Sequence, residues 1–463
     1  MIKTAKTPKT SIDSGKLSPL KILNYAGLGI GALLLFAVLI FLLFPDPFIN
    51  SFMQKRITKA FIISYPSDSL HVGNLHFNLW KNKLECESIT MKSSEYNCRI
   101  GPTSISGISW MKILWNKDIT LNDFRSSIIN AQNITLTFRQ TLNELHIDKL
   151  HVSIHDSEMI IDSIEFYSLL ADEKFFAKSK YRQTRFRSDI SSISITGLDC
   201  LKMFQGKIYT AKCINIHDIF TDILVSMDKP YDNNSSNPQM PNEFLESIKE
   251  TIKIDNLRIF NGRLKYSERF GAKAKPGVVT FNDVNVSVSR IANHTEQSDT
   301  SFIIGEGLFM NSGKMKLLME IPLSAKDFSL RYSGSLSSMD ASKLNSFIEP
   351  GQQRRIKSGV LKSAEFNISV SRGHSNGVLY LSYKDLSFVI INKETGSENG
   401  IIDRISSLFG KIFIIRGSNL PDKNGKMKLG STKYSRNPND YFFQFIWFAL
   451  RNGIADVVGF SPI

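Results

Sequence analysis

Most of the chain beyond residue 45 alternates between apolar and polar residues with a period of two. The pattern recurs in "LHFNLW" (75–80), "ITLTF" (134–138), "VNVSVS" (284–289) and "VLYLSY" (378–383), with turn-forming residues at short intervals between them. Such alternation is typical of strands that bury one face, and long stretches of helical periodicity are scarce. The sequence therefore predicts a mainly β fold dominated by an antiparallel sheet.

The stretch "IDNLRIFNGRLKYSE" (254–268) is the clearest example of this pattern. Asn261-Gly262 is a preferred pair for a two-residue hairpin turn, which predicts two short strands that meet there. The hairpin places four apolar side chains on one face: Leu257, Ile259, Leu264 and Tyr266. The opposite face then carries three basic side chains: Arg258, Arg263 and Lys265.

The beginning of that stretch has two similar copies earlier in the chain. Ile254-Asp-Asn-Leu resembles Leu198-Asp-Cys-Leu and Ile147-Asp-Lys-Leu, with Asp and Leu at the same places. Three copies at similar spacing, each opening a strand pair, predict repeated strand modules. Modules of this kind add strands at one edge and so predict an elongated, curved sheet.

Composition divides the chain beyond residue 45 into two β regions. Residues 228–242, "DKPYDNNSSNPQMPN", are rich in Asn, Ser and Pro and predict a loop or linker. We therefore place a β-rich region at 45–227, a linker at 228–242 and a C-terminal β domain at 243–463. The copy of the repeat on each side of the linker indicates that both regions share one architecture.

The segment "YFFQFIWFALRNGIADVVGF" (441–460) predicts a short C-terminal helix, because its apolar residues recur at helical spacing. Its first turns are apolar nearly all round, which is more than a surface helix needs. Three roles remain open: a buried core helix, a plug across the end of the sheet, or an interfacial element that reaches a membrane or a partner. The candidate docking residues are Phe443, Trp447 and Leu450.

The N-terminus predicts a membrane anchor. Residues 22–44 contain no charged residue and are long enough to cross a hydrocarbon core of about 30 Å. Lysines dominate the preceding tail, so the positive-inside rule predicts a cytoplasmic tail at 1–21, a transmembrane helix at 22–44 and an exported remainder.

The net charge of +14 predicts attraction to anionic surfaces, either lipid head groups or nucleic acid. An exported location excludes nucleic acid as a partner and favours lipid. The apolar share of 42% excludes a chain that is disordered throughout.

No signature of catalysis or metal binding stands out. His151 and His155 are read as polar residues on a wet strand face, and no nucleophile lies at a known spacing from a base. We expect a protein that is not an enzyme and that has no metal and no cofactor. The four cysteines, Cys86, Cys98, Cys200 and Cys213, leave two possibilities open: two disulfides, 86–98 and 200–213, or isolated buried thiols.

Residues 243–460 resemble the AsmA-like proteins of the bacterial envelope. The resemblance rests on "IDNLRIFNGRLKYSER", on the ending "IIDRISSLFGKIFIIRGSN…YFFQFIWFALRNGIADVVG" and on residues 334–390. Within 334–390 the matching residues are Gly334, Asp340, Leu344-Asn345, Ser358-Gly359 and Tyr383-Lys384-Asp385-Leu386.

This resemblance implies a periplasmic protein anchored in the cell inner membrane through residues 22–44. It also implies a taco-shaped β-groove with an apolar interior and a role in outer-membrane biogenesis or phospholipid transport. On that basis we expect phospholipid as a partner, with the groove lined by Leu257, Ile259, Leu264 and Tyr266. The alternative is an envelope scaffold with a dry β-sandwich interior that docks a protein partner through the C-terminal helix.

Overall fold

The computed structural model describes residues 58, 61–62, 66–78, 81–107, 124–204, 206, 208–232, 237–271, 274–294, 299–352, 354–391, 398–402, 404–406 and 412–459. Its first twelve strands are β1 (Ser69–Val72), β2 (Leu75–Asn78), β3 (Lys83–Cys86), β4 (Ile89–Lys92), β5 (Tyr96–Ile100), β6 (Thr103–Ser106), β7 (Ile128–Phe138), β8 (Asn143–Ser153), β9 (Glu158–Ser168), β10 (Thr184–Thr196), β11 (Ile208–His217) and β12 (Phe220–Ser226).

The remaining strands are β13 (Thr251–Arg269), β14 (Gly277–Ala292), β15 (Thr300–Phe309), β16 (Gly313–Pro322), β17 (Leu330–Leu336), β18 (Met339–Asp340), β19 (Arg354–Ser371), β20 (His374–Ile391), β21 (Glu398–Ile402), β22 (Arg404–Ser406), β23 (Ile412–Ile414), β24 (Leu429–Ser431) and β25 (Tyr434–Ser435). The helices are α1 (Asp172–Ala177), α2 (Cys200–Phe204), α3 (Pro241–Ser247), α4 (Asn345–Gln352) and α5 (Phe442–Val458), with a 3-10 turn at Ala341–Leu344.

All the described strands except β22 and β23 belong to one long, curved sheet. This confirms the mainly β fold, with a helix near the C-terminus. The sheet is mixed rather than antiparallel, because β13 runs parallel to both β11 and β12. After β12 the chain returns to the end of the sheet where β11 begins, so that Thr251 pairs with Ile208. No pattern of alternation reveals such a crossover.

The N-terminal core forms where the sheet divides. One edge of β7 pairs with β5 over its second half and with β6 over its first half. From β6 the sheet continues to β3 and β2, and from β5 it continues to β4 and β1. Apolar residues from both branches and from β7 to β9 form one buried cluster, which includes Leu84, Met91, Leu136, Leu150 and Val152.

The C-terminal core forms between the sheet and helix α5. Phe445 is fully buried against Phe328 and Tyr434, with ring centroids 5.0 and 5.5 Å away. Further along the helix, Gly453 lies directly against Leu379 of β20, where an added Cβ would approach the Leu379 Cβ to 3.1 Å. The helix therefore packs as part of the core of this half.

The predicted linker 228–242 connects β12 with β13 and ends inside the C-terminal core. Met240 is fully buried there, and the Asn242 side-chain amide donates to the carbonyl oxygens of Ala325 and Asp327 at 3.0 and 2.8 Å. Glu243 accepts from Arg436 at 2.6 Å. The two β regions on either side of this segment share one continuous sheet.

The three copies of the predicted repeat occupy different settings, so the prediction of repeated strand modules is wrong. Asp148 lies within β8 and Asp255 within β13, whereas Asp199 precedes helix α2 and accepts a hydrogen bond from the backbone of Lys202. The copies are similar in sequence only, because a four-residue phrase does not determine its tertiary surroundings.

Among the described residues, no helix is long and apolar enough to cross a bilayer. This finding contradicts the predicted localisation as a single-pass protein of the cell inner membrane, and we correct that prediction. The longest described helix, α5, has 17 residues, is interrupted by Arg451 and Asp456, and packs into the core. The predicted tail at 1–21 and the predicted span at 22–44 lie outside the described residues.

Candidate functional site

Apolar side chains form two adjacent rows that run across the sheet from β7 to β20. Residues paired directly on neighbouring strands point to the same face, so the strand register defines each row. The first row consists of Ala131, Leu150, Ile161, Ile193, Ile216, Ile259, Val286, Gly305, Leu317, Gly334, Phe366 and Leu379. The second consists of Ile129, Val152, Met159, Ile195, Ile214, Leu257, Val288, Ile303, Met319, Tyr332, Ile368 and Gly377. We call this surface the inner face.

The Asn261-Gly262 pair forms a β-bulge within the single strand β13, and the predicted hairpin turn is wrong. The register between β13 and β14 shifts between Ile259 and Leu264, and Asn261 has a φ of 54°. The Asn261 side chain donates to Asp218 at 2.6 Å, and its backbone N–H donates to the Asn285 side chain at 3.2 Å. A left-handed residue followed by glycine suits a bulge as well as a turn, which is why the sequence did not distinguish them.

The bulge brings the four predicted groove residues to one face. An extra residue in a strand reverses the alternation of its side chains, so Leu264 and Tyr266 point to the same side as Leu257 and Ile259. The register supports this placement, because β13 advances three residues from Ile259 to Gly262 while β14 advances two, from Val286 to Val284, and β14 has its own extra residue before Leu264 pairs with Phe281. The four residues lie along one strand instead of facing each other across a hairpin.

The middle of the inner face is not covered by either core. Six side chains of β11, β13 and β14 are half-buried there and bridge the N-terminal and C-terminal cores. We call them the apolar belt: Ile214, Ile216, Leu257, Ile259, Val286 and Val288. Row members nearer the ends, such as Leu150 and Ile368, are almost fully buried. The belt is thus an apolar surface that the described part of the chain only partly shields.

The opposite surface, the outer face, is polar at the same strands. One row of it contains Ser194, Asn215, Arg258 and Ser287. The Asn215 amide donates to the hydroxyl of Ser194 at 3.3 Å. Lys265 also points outward. It lies opposite Asp222 of β12 in the strand register, and the two side chains form an ion pair at 3.7 Å on the outer face. From β10 to β14 the sheet therefore separates an apolar side from a polar side, as the sequence predicted for Arg258 and Lys265. The outer face of β15 and β16 instead exposes the apolar side chains of Ile304 and Leu318.

The inner face of β13 ends in a polar group. The Tyr266 hydroxyl donates to Glu268 Oε1 at 2.8 Å. Burial raises the pKa of Glu268 above its ordinary value of 4.5, although the hydrogen bond from Tyr266 and the positive charges of Arg182 and Arg451 act in the opposite direction. Burial, with the nearby Glu268, also raises the pKa of Tyr266, which keeps it a neutral donor.

The structure separates the three predicted docking residues of helix α5. Phe443 and Trp447 are 76% and 45% exposed, whereas Leu450 packs against the C-terminal core. The apolar residues of the helix are therefore divided between an exposed and a buried side, and the buried side is formed mainly by Phe445, Ile446, Ala449, Gly453 and Val457. The helix buries this side because small residues at Ala449 and Gly453 allow close approach to the sheet.

The described residues contain no group of three metal-binding side chains. His151 instead bonds to the Asn130 side chain across β7 and β8 at 2.7 Å. The four cysteines are free. Burial raises the pKa of the Cys86 thiol to about 11 and that of Cys98 to about 12, so both stay protonated at neutral pH.

Sequence reasoning missed the residues that surround Glu268. Arg182 stacks over the Tyr231 ring at 4.1 Å, and the hydroxyl of Tyr231 accepts from Gln444 of helix α5 at 3.2 Å. Arg451 lies two turns further along the same helix. These residues come from separate parts of the chain, and only the crossover between β12 and β13 brings them together, so no local motif could have revealed them.

Comparison with protein-family models finds no match to this chain, and comparison with curated proteins finds none that is significantly similar.

Proposed function

We propose that this protein binds phospholipid, with the acyl chains lying on the apolar belt, and that it carries or conducts lipid along the inner face. The observation that supports this most strongly is the continuity of the two apolar rows across the half-buried middle of the sheet. An incompletely covered apolar surface of this kind is a common feature of sites that bind apolar partners, which supports the proposal.

The dimensions of the inner face suit an acyl chain. Across β11, β13 and β14 the belt spans two strand spacings of about 4.8 Å, or about 10 Å, and along β13 the apolar surface continues to Leu264, five residues or about 16 Å beyond Ile259. One leaflet of a bilayer core of ~30 Å holds chains of about 15 Å. Aliphatic side chains without hydrogen-bonding groups supply the matching surface, since the belt consists of Ile, Leu and Val alone.

The energetics favour exchange rather than permanent retention. Each methylene moved from water to an apolar site contributes about 0.8 kcal/mol, which opposes release into water. Transfer from a bilayer to the belt replaces one apolar environment by another and is close to neutral. A surface with these properties accepts lipid from one membrane and returns it to another. The resemblance of residues 243–460 to AsmA-like proteins supports the same proposal.

The test is mass spectrometry of lipids that copurify with the chain in gentle detergent. We expect phospholipid in stoichiometric amount. As a matched pair, I216K places a charge within the belt and N215K places one on the adjacent outer-face position. Lipid should be lost from I216K and kept by N215K. Absence of lipid from the unaltered chain would contradict the proposal.

One observation favours the alternative of a scaffold with a dry interior. Phe443 and Trp447 are exposed one helical turn apart, and Tyr441 beside them is 52% exposed. Exposed aromatic rings are frequent anchors of protein interfaces. In this alternative a protein partner binds to these rings and no lipid is needed. Mass spectrometry that finds no copurified phospholipid would favour the scaffold, and stoichiometric phospholipid would favour lipid binding.

A further inference from the structure

A cluster of polar side chains lies where the inner face of β13 meets helix α5. Its members on the sheet side are Tyr266 and Glu268, joined by a hydrogen bond of 2.8 Å. They follow Leu264 on the same face of β13, so the apolar surface leads directly to them. The inference that follows rests on the proposed lipid-binding function and concerns the part of the lipid that this cluster would meet.

Helix α5 contributes one continuous side to the cluster. Gln444, Phe448 and Arg451 are spaced four and three residues apart and share a face of the helix. Gln444 donates to the Tyr231 hydroxyl at 3.2 Å, the Phe448 ring lies 5.5 Å from that of Tyr434, and the Arg451 guanidinium lies 4.5 Å from the centre of the Phe448 ring. These contacts fix the side of the helix that faces the cluster.

The segment between helix α1 and strand β10 contributes the other arginine, Arg182, which residues of the crossover segment hold in place. Arg182 stacks on the Tyr231 ring at 4.1 Å and donates to the carbonyl oxygens of Met227 and Lys229 at 3.4 and 3.3 Å. Its guanidinium is thereby held in place. Together with Arg451, it lies close enough to Glu268 to favour the carboxylate form.

One arginine of the cluster lacks a polar partner. Arg182 and Arg451 both lie near Glu268, whose burial opposes its ionisation. The second carboxyl group nearby, Asp440, is already engaged, because it accepts from the Tyr434 hydroxyl at 2.7 Å and from the Asn437 backbone at 2.8 Å. Arg451 makes no hydrogen bond or ion pair with any residue that the structure describes, and its Nε is buried without a partner. Arg451 as a whole is half-buried, so a guanidinium group that no oxygen of the described residues engages can offer its other N–H groups to an anionic ligand.

We propose that this cluster binds the phosphate-bearing head group of a lipid whose acyl chains run along the inner face of β13, from Leu264 towards the apolar belt. Arg451 donates to the phosphate oxygens from helix α5, and the Tyr231 hydroxyl, which already accepts from Gln444, retains its own proton to donate. Planar guanidinium groups are well suited to phosphate, because their N–H donors match its oxygens. The site therefore selects phospholipids over neutral lipids with the same acyl chains.

The experiment compares two fluorescent lipids with identical acyl chains on the full chain: a phosphatidylglycerol and a diacylglycerol. We expect phosphatidylglycerol to bind about tenfold more tightly, since one charge-assisted hydrogen bond is enough for that factor. R451Q should lose this preference and leave diacylglycerol binding unchanged, and R451K should restore part of it. R258Q on the outer face is the matched control and should keep the full preference.

The outcomes distinguish the two proposals. If diacylglycerol binds and phosphatidylglycerol binds no better, or if R451Q keeps the preference, the head-group site is wrong while lipid binding stands. If neither lipid binds the unaltered chain, the proposed function itself fails. Glycerophosphoglycerol, the head group without acyl chains, is tested in the same assay. If it binds as tightly as phosphatidylglycerol, the cluster binds soluble phosphate compounds rather than a lipid head group, and the proposal is contradicted.

Discussion

Single residues determine how the strands present their apolar side chains to one face. Asn261 holds a left-handed conformation in the middle of β13 and bonds to Asp218, between β11 and β12, and to Asn285 of β14. Without the bulge, Leu264 and Tyr266 would point to the outer face. A single residue in an uncommon backbone conformation therefore keeps Leu264 and Tyr266, which follow the bulge, on the inner face.

The bulge gives a first prediction. A β-branched residue in the left-handed region costs about 1–2 kcal/mol, so N261V should lower the free energy of unfolding by at least that amount. N261G loses the same side-chain hydrogen bond but tolerates the conformation, so its loss should be smaller. Urea denaturation of both variants measures the difference. Equal losses would show that the conformation of residue 261 is not what matters.

Glu268 gives a second prediction, on pH. Because the pKa of Glu268 is raised above 4.5 in the folded chain, the folded chain holds this proton more tightly than the unfolded chain does. Its contribution to stability is therefore complete below about pH 4.5 and is lost as the pH rises through the folded-state pKa. E268Q keeps an acceptor for Tyr266 without the ionisation, so its stability relative to the unaltered chain should increase with pH.

Urea denaturation between about pH 4 and pH 8 tests this expectation. E306Q, which removes an exposed carboxylate, is the matched control and should show no comparable trend. Parallel pH profiles for E268Q and the unaltered chain would contradict a buried carboxyl group at this position.

At the scale of elements, helix α5 shows how one side of an apolar helix is selected. The segment is apolar nearly all round, and the structure buries Phe445 completely while leaving Phe443 76% exposed. The closest approach to the sheet occurs at Gly453, beside Leu379 and Thr432. The small residues, rather than the large ones, determine which side faces the core.

This division gives a third prediction. Removing a fully buried aromatic ring costs about 3–5 kcal/mol, so F445A should lower the free energy of unfolding by that amount. F443A, two positions away and exposed, should change it by less than about 0.5 kcal/mol. Chemical denaturation of the two variants side by side is the measurement. Similar losses for both variants would contradict the assignment of Phe445 to the buried side of helix α5 and Phe443 to the exposed side.

The element scale also shows what the sequence could and could not predict. Alternation was enough to predict strands with one apolar face and to place Leu257 and Ile259 on it. It did not distinguish a turn from a bulge at Asn261, because both need the same backbone conformation. The arginines near Glu268 were beyond prediction, since a crossover of the chain, and not a local pattern, brings them to that site.

At the scale of the whole molecule, the middle of the sheet has one apolar and one polar face. Its inner face is closed by packed cores at both ends and is half-buried between them, whereas its outer face is polar beside the belt. The polar cluster of Glu268, Tyr231 and Arg451 lies beyond the end of the apolar surface. This arrangement matches an amphipathic ligand, with acyl chains on the belt and a phosphate group at the arginines.

The most direct test of the central claim is photocrosslinking at two adjacent residues of β13. A photoreactive amino acid at Ile259 lies on the apolar belt, and one at Arg258 lies on the outer face of the same strand. In cells, we expect a lipid adduct at position 259 and none at position 258, detected by mass spectrometry of the intact chain. Equal labelling of both positions, or crosslinks from position 259 to another part of the same chain in place of lipid, would contradict a lipid-binding inner face.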